Sequence, residues 1–177
     1  CGSTIHELVM RGSRVFAACS QLGFAAFDLS TSPYPTELGR LDTAGYAAGL
    51  AVTDSVVYLA DGNTGLNIID ISALETPTLI GVVDTPDYAS SVALAGGMAY
   101  VADRASGLYV VNVSNAGAPE IVGTLDTPGM SVDLAVKDNV AYMADSESGL
   151  IVIDVSVPSL PRMLGSADTP GSALGVA

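Results

Sequence analysis

Short apolar runs recur along the whole chain and are separated by Gly, Pro, Asp and Ser. One group of four such runs covers Ala48–Val52, Val56–Ala60, Leu66–Ile71 and Thr78–Val83. Short apolar runs bounded by turn-forming residues are typical of buried β-strands. The links between the runs are short enough for antiparallel hairpins. The pattern therefore predicts a four-stranded meander, whose strands we call A, B, C and D.

The same pattern returns with a fixed period of 42 residues. The period is carried by a glycine between strands B and C, a proline before strand D and an Asp-Thr pair after it. The glycines are Gly23, Gly65, Gly107 and Gly149, the prolines are Pro35, Pro77, Pro119 and Pro161, and the pairs begin at Asp42, Asp84, Asp126 and Asp168. A fixed period without insertions means that each unit occupies an equivalent place in the fold.

A four-stranded unit of this length has the size of a β-propeller blade. Strand A begins with small residues, which suits a crowded central axis, and strands B and C are apolar on both faces, as expected for a sheet packed between two others. The sequence predicts one all-β propeller domain over residues 1–177, with four-stranded antiparallel blades. The blades span approximately 5–45, 47–87, 89–129 and 131–171, and residues 173–177 begin another blade.

Several motifs resemble those of the LVIVD repeat of bacterial and archaeal surface propellers. They are the Gly-Leu-x-x-Ile-Asp runs at 65–70 and 149–154, the Ala-Tyr-x-Ala-Asp runs at 99–103 and 141–145, and the Asp-Thr-Pro runs that follow. The resemblance covers essentially the whole chain. It implies a secreted or cell-surface location and supplies no catalytic motif.

Both termini cut the repeat pattern inside a loop, so we expect the chain to be a segment of a larger propeller. Two alternatives are a four-bladed ring with a frayed tail, and two chains that complete one larger ring. In a larger propeller, and in a ring of two chains, the partners of these blades are further propeller blades from the same chain or from another chain.

The net charge of the chain limits the classes of partner that it can bind. The formal net charge is −13, and only six Lys and Arg residues are scattered along the chain. Nucleic-acid binding needs clustered basic residues and is excluded. No apolar run approaches the ~18 residues that cross a membrane. The acidic excess keeps an apolar chain soluble, and it also suits cations or basic partners.

An acidic loop face is the main candidate site. In an up-and-down blade the D–A and B–C loops lie on one face, which collects Asp42, Asp84, Asp126, Asp168, Asp61, Asp103 and Asp145. One interpretation is a docking face for a basic partner or for Ca²⁺, and no other cofactor is predicted. The other reading is that these carboxylates accept hydrogen bonds from their own loops, as Asp does in turns. Repetition in every blade favours the second reading.

Four smaller features complete the candidates. His6 lies beside Glu7 near the axis and has no convincing nucleophile for acid–base chemistry. Tyr46, Tyr88 and Met130 begin successive A strands and either ring a channel mouth or cover the core.

Cys1 and Cys19 lie toward one end of the first blade and are a candidate disulfide. Asp or Asn at the end of each strand C, two residues before a serine, is read as a turn acceptor; these residues are Asp28, Asp70, Asn112 and Asp154.

The sequence predicts a non-enzymatic, extracytoplasmic propeller that acts as a protein-interaction or assembly scaffold. One alternative is a ligand-binding, carbohydrate-binding or enzymatic propeller with its site in a channel that missing blades complete. A third is a subunit of an extracellular filament or surface layer.

Overall fold

A computed structural model of the protein describes residues 4–30 and 34–177. These residues form four antiparallel sheets of four strands each, with the strands of a sheet paired in chain order. They include no helix, and so none that is long and apolar enough to span a membrane. The predicted all-β fold of four-stranded antiparallel blades is confirmed.

The strands are named in chain order. Blade 1 contains β1 (Glu7–Arg11), β2 (Arg14–Ala18), β3 (Phe24–Asp28) and β4 (Thr36–Leu41); blade 2 contains β5 (Gly49–Val52), β6 (Val56–Ala60), β7 (Leu66–Asp70) and β8 (Thr78–Val83); blade 3 contains β9 (Ser91–Ala95), β10 (Met98–Ala102), β11 (Leu108–Asn112) and β12 (Glu120–Leu125); blade 4 contains β13 (Asp133–Lys137), β14 (Val140–Ala144), β15 (Leu150–Asp154) and β16 (Arg162–Ala167). The strands of blade 2 agree with the predicted runs to within one residue at each end.

The four blades fan out from a common centre. Their innermost strands contact each other in succession, β1 with β5, β5 with β9, and β9 with β13. We call the side of a blade that faces the preceding blade its trailing face, and the side that faces the following blade its leading face. Because both faces of an inner blade are covered, its middle strands lose the alternation of polar and apolar residues that a one-sided sheet shows.

Each interface buries the same repeat positions. The leading face of blade 1 contributes Phe16, Ala18, Phe24 and Ala26, and the trailing face of blade 2 contributes Leu50, Val52, Val57, Leu59, Ile69 and Ile71. Positions 42 residues further along form the second interface, where Tyr58 and Leu66 contact Val92 and Val101. The third interface uses the positions another 42 residues along. Burying one such aliphatic side chain contributes about 1.5–3 kcal/mol. Blade-to-blade burial is therefore the main stabilising term.

A bulge between strands C and D also repeats. The register shifts by one residue in all four sheets, as between Ile68 and Ile69 in blade 2. The glycine beside the bulge lies against the C–D loop of the following blade. A Cβ atom on Gly39 would collide with the carbonyl oxygen of Leu74, and one on Gly123 would collide with that of Pro158. Glycine is needed there because only its backbone can approach so closely.

Candidate functional site

In blades 2, 3 and 4, one buried aspartate joins the preceding D–A loop to the B–C turn. Asp61, Asp103 and Asp145 each follow strand B and are 0% exposed. Each accepts a hydrogen bond from the hydroxyl of the threonine 18 residues earlier and another from a nearby backbone N–H. The hydroxyl bonds come from Thr43, Thr85 and Thr127 over 2.8, 2.6 and 2.8 Å, and the amide bonds come from Gly45, Asp87 and Gly129 over 3.1, 3.0 and 2.7 Å. We call this contact the aspartate clasp.

The aspartate clasp decides between the two interpretations for three of the seven aspartates of the acidic loop face. It confirms that the D–A and B–C loops lie together, but it places Asp61, Asp103 and Asp145 inside the loop network. The second reading of the sequence pattern therefore describes these three carboxylates. The other four, Asp42, Asp84, Asp126 and Asp168, are exposed. Their binding of a cation or a basic partner stays a prediction.

Burial and hydrogen bonding act in opposite directions on the clasp. Burial raises the pKa of Asp61 and of Asp103, and the hydrogen bonds from the threonine hydroxyl and the backbone oppose that rise. A carboxylate held in this way serves the structure of the loops. Over residues 4–30 and 34–177, no group of three or more His, Cys, Asp or Glu side chains is placed to hold a metal ion.

Cys19 occupies the clasp position of blade 1. It precedes Asp61 by one repeat and is fully buried. Cys1 precedes Thr43, the partner of Asp61, by the same 42 residues. Cys1 lies outside the described residues, so the Cys1–Cys19 disulfide stays a prediction. The repeat positions make it the covalent counterpart of the Thr–Asp contact.

The turn acceptors at the ends of the C strands are where the sequence placed them. Asp28, Asp70, Asn112 and Asp154 accept hydrogen bonds from the backbone N–H two residues later over 3.0, 2.8, 3.0 and 2.9 Å. The bonds from Ser156, together with the guanidinium of Arg162, lower the pKa of Asp154 to about 2. These groups are part of the C–D loops.

An open groove of about 560 Å³ runs along the centre of the fan, and all four blades line it. We call it the axial groove. Its walls include Ala48, Ser90 and Val132, each of which immediately precedes an A strand, and Leu174 near the end of the chain. The small side chains of Ala48, Ser90 and Ser91 lie beside larger polar and aromatic ones.

Two carboxylates face the groove from opposite ends of the blade series. Glu7 Oε2 accepts a hydrogen bond from the backbone N–H of Leu50 over 2.7 Å. Asp133 Oδ1 accepts one from the hydroxyl of Ser91 over 2.7 Å, and its Oδ2 accepts one from the N–H of Val176 over 2.9 Å. Burial raises the pKa of Glu7, the Leu50 amide opposes that rise, and the charge of Asp133 adds to it. The two carboxylates therefore interact across the groove.

Aromatic rings form the mouth of the groove. His6 Nε2 and Tyr46 Oη are hydrogen-bonded at 2.9 Å, and their ring centroids are 5.1 Å apart. Tyr46 and Tyr88 follow at 6.3 Å. The guanidinium carbon of Arg104 lies 4.2 Å from the Tyr88 centroid, which is a cation–π contact.

The sequence identified only part of this groove. His6, Glu7, Tyr46 and Tyr88 were placed near the axis, whereas Met130 is exposed and does not line the groove. Arg104 and Asp133 were missed. The signal that points to Asp133 is its repeat position, which is Glu7 in blade 1, Gly49 in blade 2 and Ser91 in blade 3. That position changes in every blade, unlike the clasp positions.

The outer faces of the first and last blades are open. On the trailing face of blade 1, Leu8 is 54% and Met10 is 64% exposed, whereas the equivalent Leu50 and Val52 of blade 2 are 2% and 5% exposed. These two side chains, with Val15, Phe27 and Leu29, line an apolar concavity of about 550 Å³.

Blade 4 presents the complementary surface. On its leading face Tyr142, Leu150 and Val152 are half-buried, whereas their equivalents Tyr100, Leu108 and Val110 are buried. A Cβ atom on Gly165 would meet nothing within 4 Å, in contrast to the equivalent Gly39, Gly81 and Gly123. Nothing among the described residues takes the place that the next blade's C–D loop holds elsewhere.

The last residues of the chain lie where the first strand of a following blade begins. Ala173 forms an isolated bridge with Ser146, which repeats the bridges of Ser20 with Ala47, Gly62 with Ala89 and Arg104 with Ser131. The Val176 N–H donates to Asp133 as the Leu50 N–H donates to Glu7. Ala173 and Val176 thus repeat contacts that Ala47 and Leu50 make; that residues 173–177 begin another blade stays a prediction.

Comparisons with known proteins agree with these repeats. The LVIVD repeat family model matches residues 44–85, 86–127 and 128–169. The chain therefore belongs to the LVIVD repeat family, and it is a β-propeller repeat protein of that class. A search of curated proteins returned no match.

Several solved structures share the fold. The computationally designed Ika8 protein has a TM-score of 0.77 at 14% identity, covering 97% of this chain and 51% of its own. A functionally unknown protein from Desulfotomaculum acetoxidans DSM 771 has a TM-score of 0.73 at 14% identity, covering 97% and 58%. The computationally designed Ika4 protein has a TM-score of 0.72 at 12% identity, covering 86% and 91%. The chain spans about half the length of the first two structures.

Proposed function

We propose that the protein is a non-enzymatic, extracytoplasmic assembly scaffold whose two open faces each bind a further blade of the same repeat type. The supporting observation is that apolar positions buried at three interfaces are exposed on the trailing face of blade 1 and only half-buried on the leading face of blade 4. The extracytoplasmic location rests on the family resemblance.

The occupant of each open face is specified by continuity with the existing interfaces. The trailing face of blade 1 has the same repeat positions as the trailing face of blade 2. In blade 2 these positions are covered by the leading face of blade 1. Contiguous exposed apolar patches of this kind mark interaction surfaces. A leading face carrying aromatic and branched aliphatic side chains at the positions of Tyr100, Leu108 and Val110 fits the blade 1 concavity.

The leading face of blade 4 supports the same occupant. Gly165 leaves open the space into which the C–D loop of a following blade packs at the other interfaces. Residues 173–177 already lie at the place of that blade's first strand. The association is head to tail, because a leading face meets a trailing face. Such a contact gives a ring if it closes and a filament if it does not.

In a solution of this chain alone, a second copy is the source of such a blade. We expect reversible self-association that increases with protein concentration, measured by light scattering after size-exclusion chromatography. The combined substitution Leu8→Asp and Met10→Asp should abolish it, because both charges would be buried in the contact. The matched control is Val82→Asp, which charges an exposed valine on the outermost strand of blade 2.

Circular dichroism establishes that each variant is folded before the comparison. A wild-type chain that stays monomeric at every concentration would overturn the proposal. So would a Val82→Asp variant that loses association as fully as the blade 1 variant, because the contact would then lie elsewhere.

A further inference from the structure

The side chains that line the axial groove do not follow the repeat. At one position the four blades carry His6, Ala48, Ser90 and Val132, and at the next they carry Glu7, Gly49, Ser91 and Asp133. By contrast, the clasp keeps its aspartate in blades 2 to 4, and the blade interfaces keep an apolar side chain at each position although its size varies. A lining that served only to pack the axis would repeat in the same way. The packing of the blades therefore does not explain which side chains line the groove.

The carboxylates of the groove are fixed in place and lack a cationic partner. The Leu50 N–H of β5 holds Glu7, and the Val176 N–H and the Ser91 hydroxyl hold Asp133. Among the described residues, the ion pairs are Arg11 with Asp54, Arg40 with Glu37 and Arg162 with Asp154, so neither groove carboxylate takes part in one. Two negative charges that face each other in a partly desolvated groove attract a cation.

The remaining walls suit a cation that carries hydrocarbon. Ala48, Val132 and Leu174 provide apolar contact along the groove. At the mouth, the face of Tyr88 already accepts the guanidinium of Arg104, which shows that this ring is oriented to receive a positive charge. Tyr46 and His6 extend the aromatic wall.

We propose that the axial groove binds an aliphatic ammonium ion, with its charged nitrogen between Glu7 and Asp133 and its alkyl chain along Ala48 and Val132. Free polyamines and the lysine side chain of a partner protein share this chemistry. The site belongs to the unassociated chain, because Leu174 and the Val176 N–H that holds Asp133 come from the last residues, which a following blade would displace.

The test is a titration of the intact chain with n-pentylamine at pH 8, followed by calorimetry and by the NMR shifts of the tyrosine rings. We expect one binding site per chain and shifts confined to Tyr46 and Tyr88. The neutral analogue n-pentanol is expected to bind at least about tenfold more weakly, because it lacks the charge-assisted hydrogen bonds. Spermidine and acetyl-lysine amide then identify the source: tighter binding of spermidine indicates a free polyamine, and tighter binding of acetyl-lysine amide indicates a protein lysine.

Two variants and one control locate the site. Glu7→Gln and Asp133→Asn keep an oxygen for the Leu50 and Val176 amides while removing the charge, and each should weaken n-pentylamine binding at least about tenfold. Glu147→Gln removes the same charge from an exposed turn and should change the affinity less than about twofold. Equal loss in all three variants would overturn the proposal in favour of general attraction to an acidic chain. Absence of binding by the wild-type chain, or equal binding of amine and alcohol, would also overturn it.

Discussion

In blades 2 to 4, a single buried carboxylate holds the B–C turn against the preceding D–A loop. Asp103 accepts hydrogen bonds from the Thr85 hydroxyl and the Asp87 backbone N–H, and these atoms belong to the preceding D–A loop. Without the carboxylate, the buried Thr85 hydroxyl and the half-buried Asp87 N–H would both lose this acceptor. An unsatisfied buried donor costs about 1–3 kcal/mol. The repeated aspartate is thus explained by local stability.

The substitution Asp103→Ala is expected to lower the free energy of unfolding by about 2 kcal/mol, because it leaves the Thr85 hydroxyl and the Asp87 amide unpaired. Urea unfolding followed by circular dichroism measures the change. Asp84→Ala is the matched control, because Asp84 is an exposed carboxylate in the same loop and its removal should leave the unfolding midpoint nearly unchanged. Equal effects of the two substitutions would contradict the structural role of the clasp.

Glu7 gives the stability a pH dependence of known sign. Its pKa is raised above the ordinary value of 4.5, chiefly by burial. As the pH rises through the window between 4.5 and the raised folded value, the unfolded chain ionises before the folded chain does, so the free energy of unfolding falls. Below that window Glu7 is protonated in both the folded and the unfolded chain, so its burial does not lower the free energy of unfolding through ionisation.

The stability of the wild type relative to Glu7→Gln should therefore decrease as the pH rises from below 4.5 through the raised pKa of the folded chain. Melting temperatures of both chains across this range measure the difference. A constant difference, or one that grows with pH, would show that burial does not control the ionisation of Glu7.

At the scale of the strand and the loop, sequence reasoning succeeds where the repeat carries the information. The bounds of β5–β8 follow from four copies in register, each with turn residues at the same places. The pattern could not distinguish exposed Asp84 from buried Asp103, because both repeat with the same period. It also missed Arg104 and Asp133, since the groove joins residues from different blades at positions that do not repeat.

The glycine beside the bulge gives a matched pair of substitutions. Gly123→Ala should destabilise the chain by about 1–3 kcal/mol, because its methyl group would overlap the carbonyl oxygen of Pro158. Gly165→Ala should leave the stability of the monomer nearly unchanged, because nothing lies within 4 Å of the added atom. Thermal unfolding at low protein concentration measures both.

The same pair tests the proposed assembly. If a further blade packs its C–D loop against Gly165, then Gly165→Ala should weaken self-association while leaving the monomer intact. A Gly165→Ala chain that associates as strongly as the wild type would show that this glycine does not meet a following blade.

At the scale of the whole molecule, the end of the chain and the first strand compete for one place. Residues Ile5–Val9 are equivalent to Ala173–Ala177 after four repeats of 42 residues. In a head-to-tail contact, β1 of the second copy needs the position that the last residues of the first copy hold through Ser146 and Asp133. Association therefore requires that these residues be displaced.

Removal of residues 172–177 is expected to strengthen self-association, because the second copy no longer has to displace them. Sedimentation equilibrium of the full and shortened chains measures the difference in dissociation constant. The control combines the shortening with Leu8→Asp and Met10→Asp, which should stay monomeric. Weaker association of the shortened chain would mean that these residues form part of the contact.

Uniform blade interfaces have a consequence for how such proteins change during evolution. Duplication or loss of one repeat within the gene joins a leading face to a trailing face with the same packing as before, so each new junction is already compatible. The number of repeats can therefore vary without redesign of any blade. What changes with each event is the set of side chains at the centre, so selection for a new specificity can act there while the surrounding sheets stay constant.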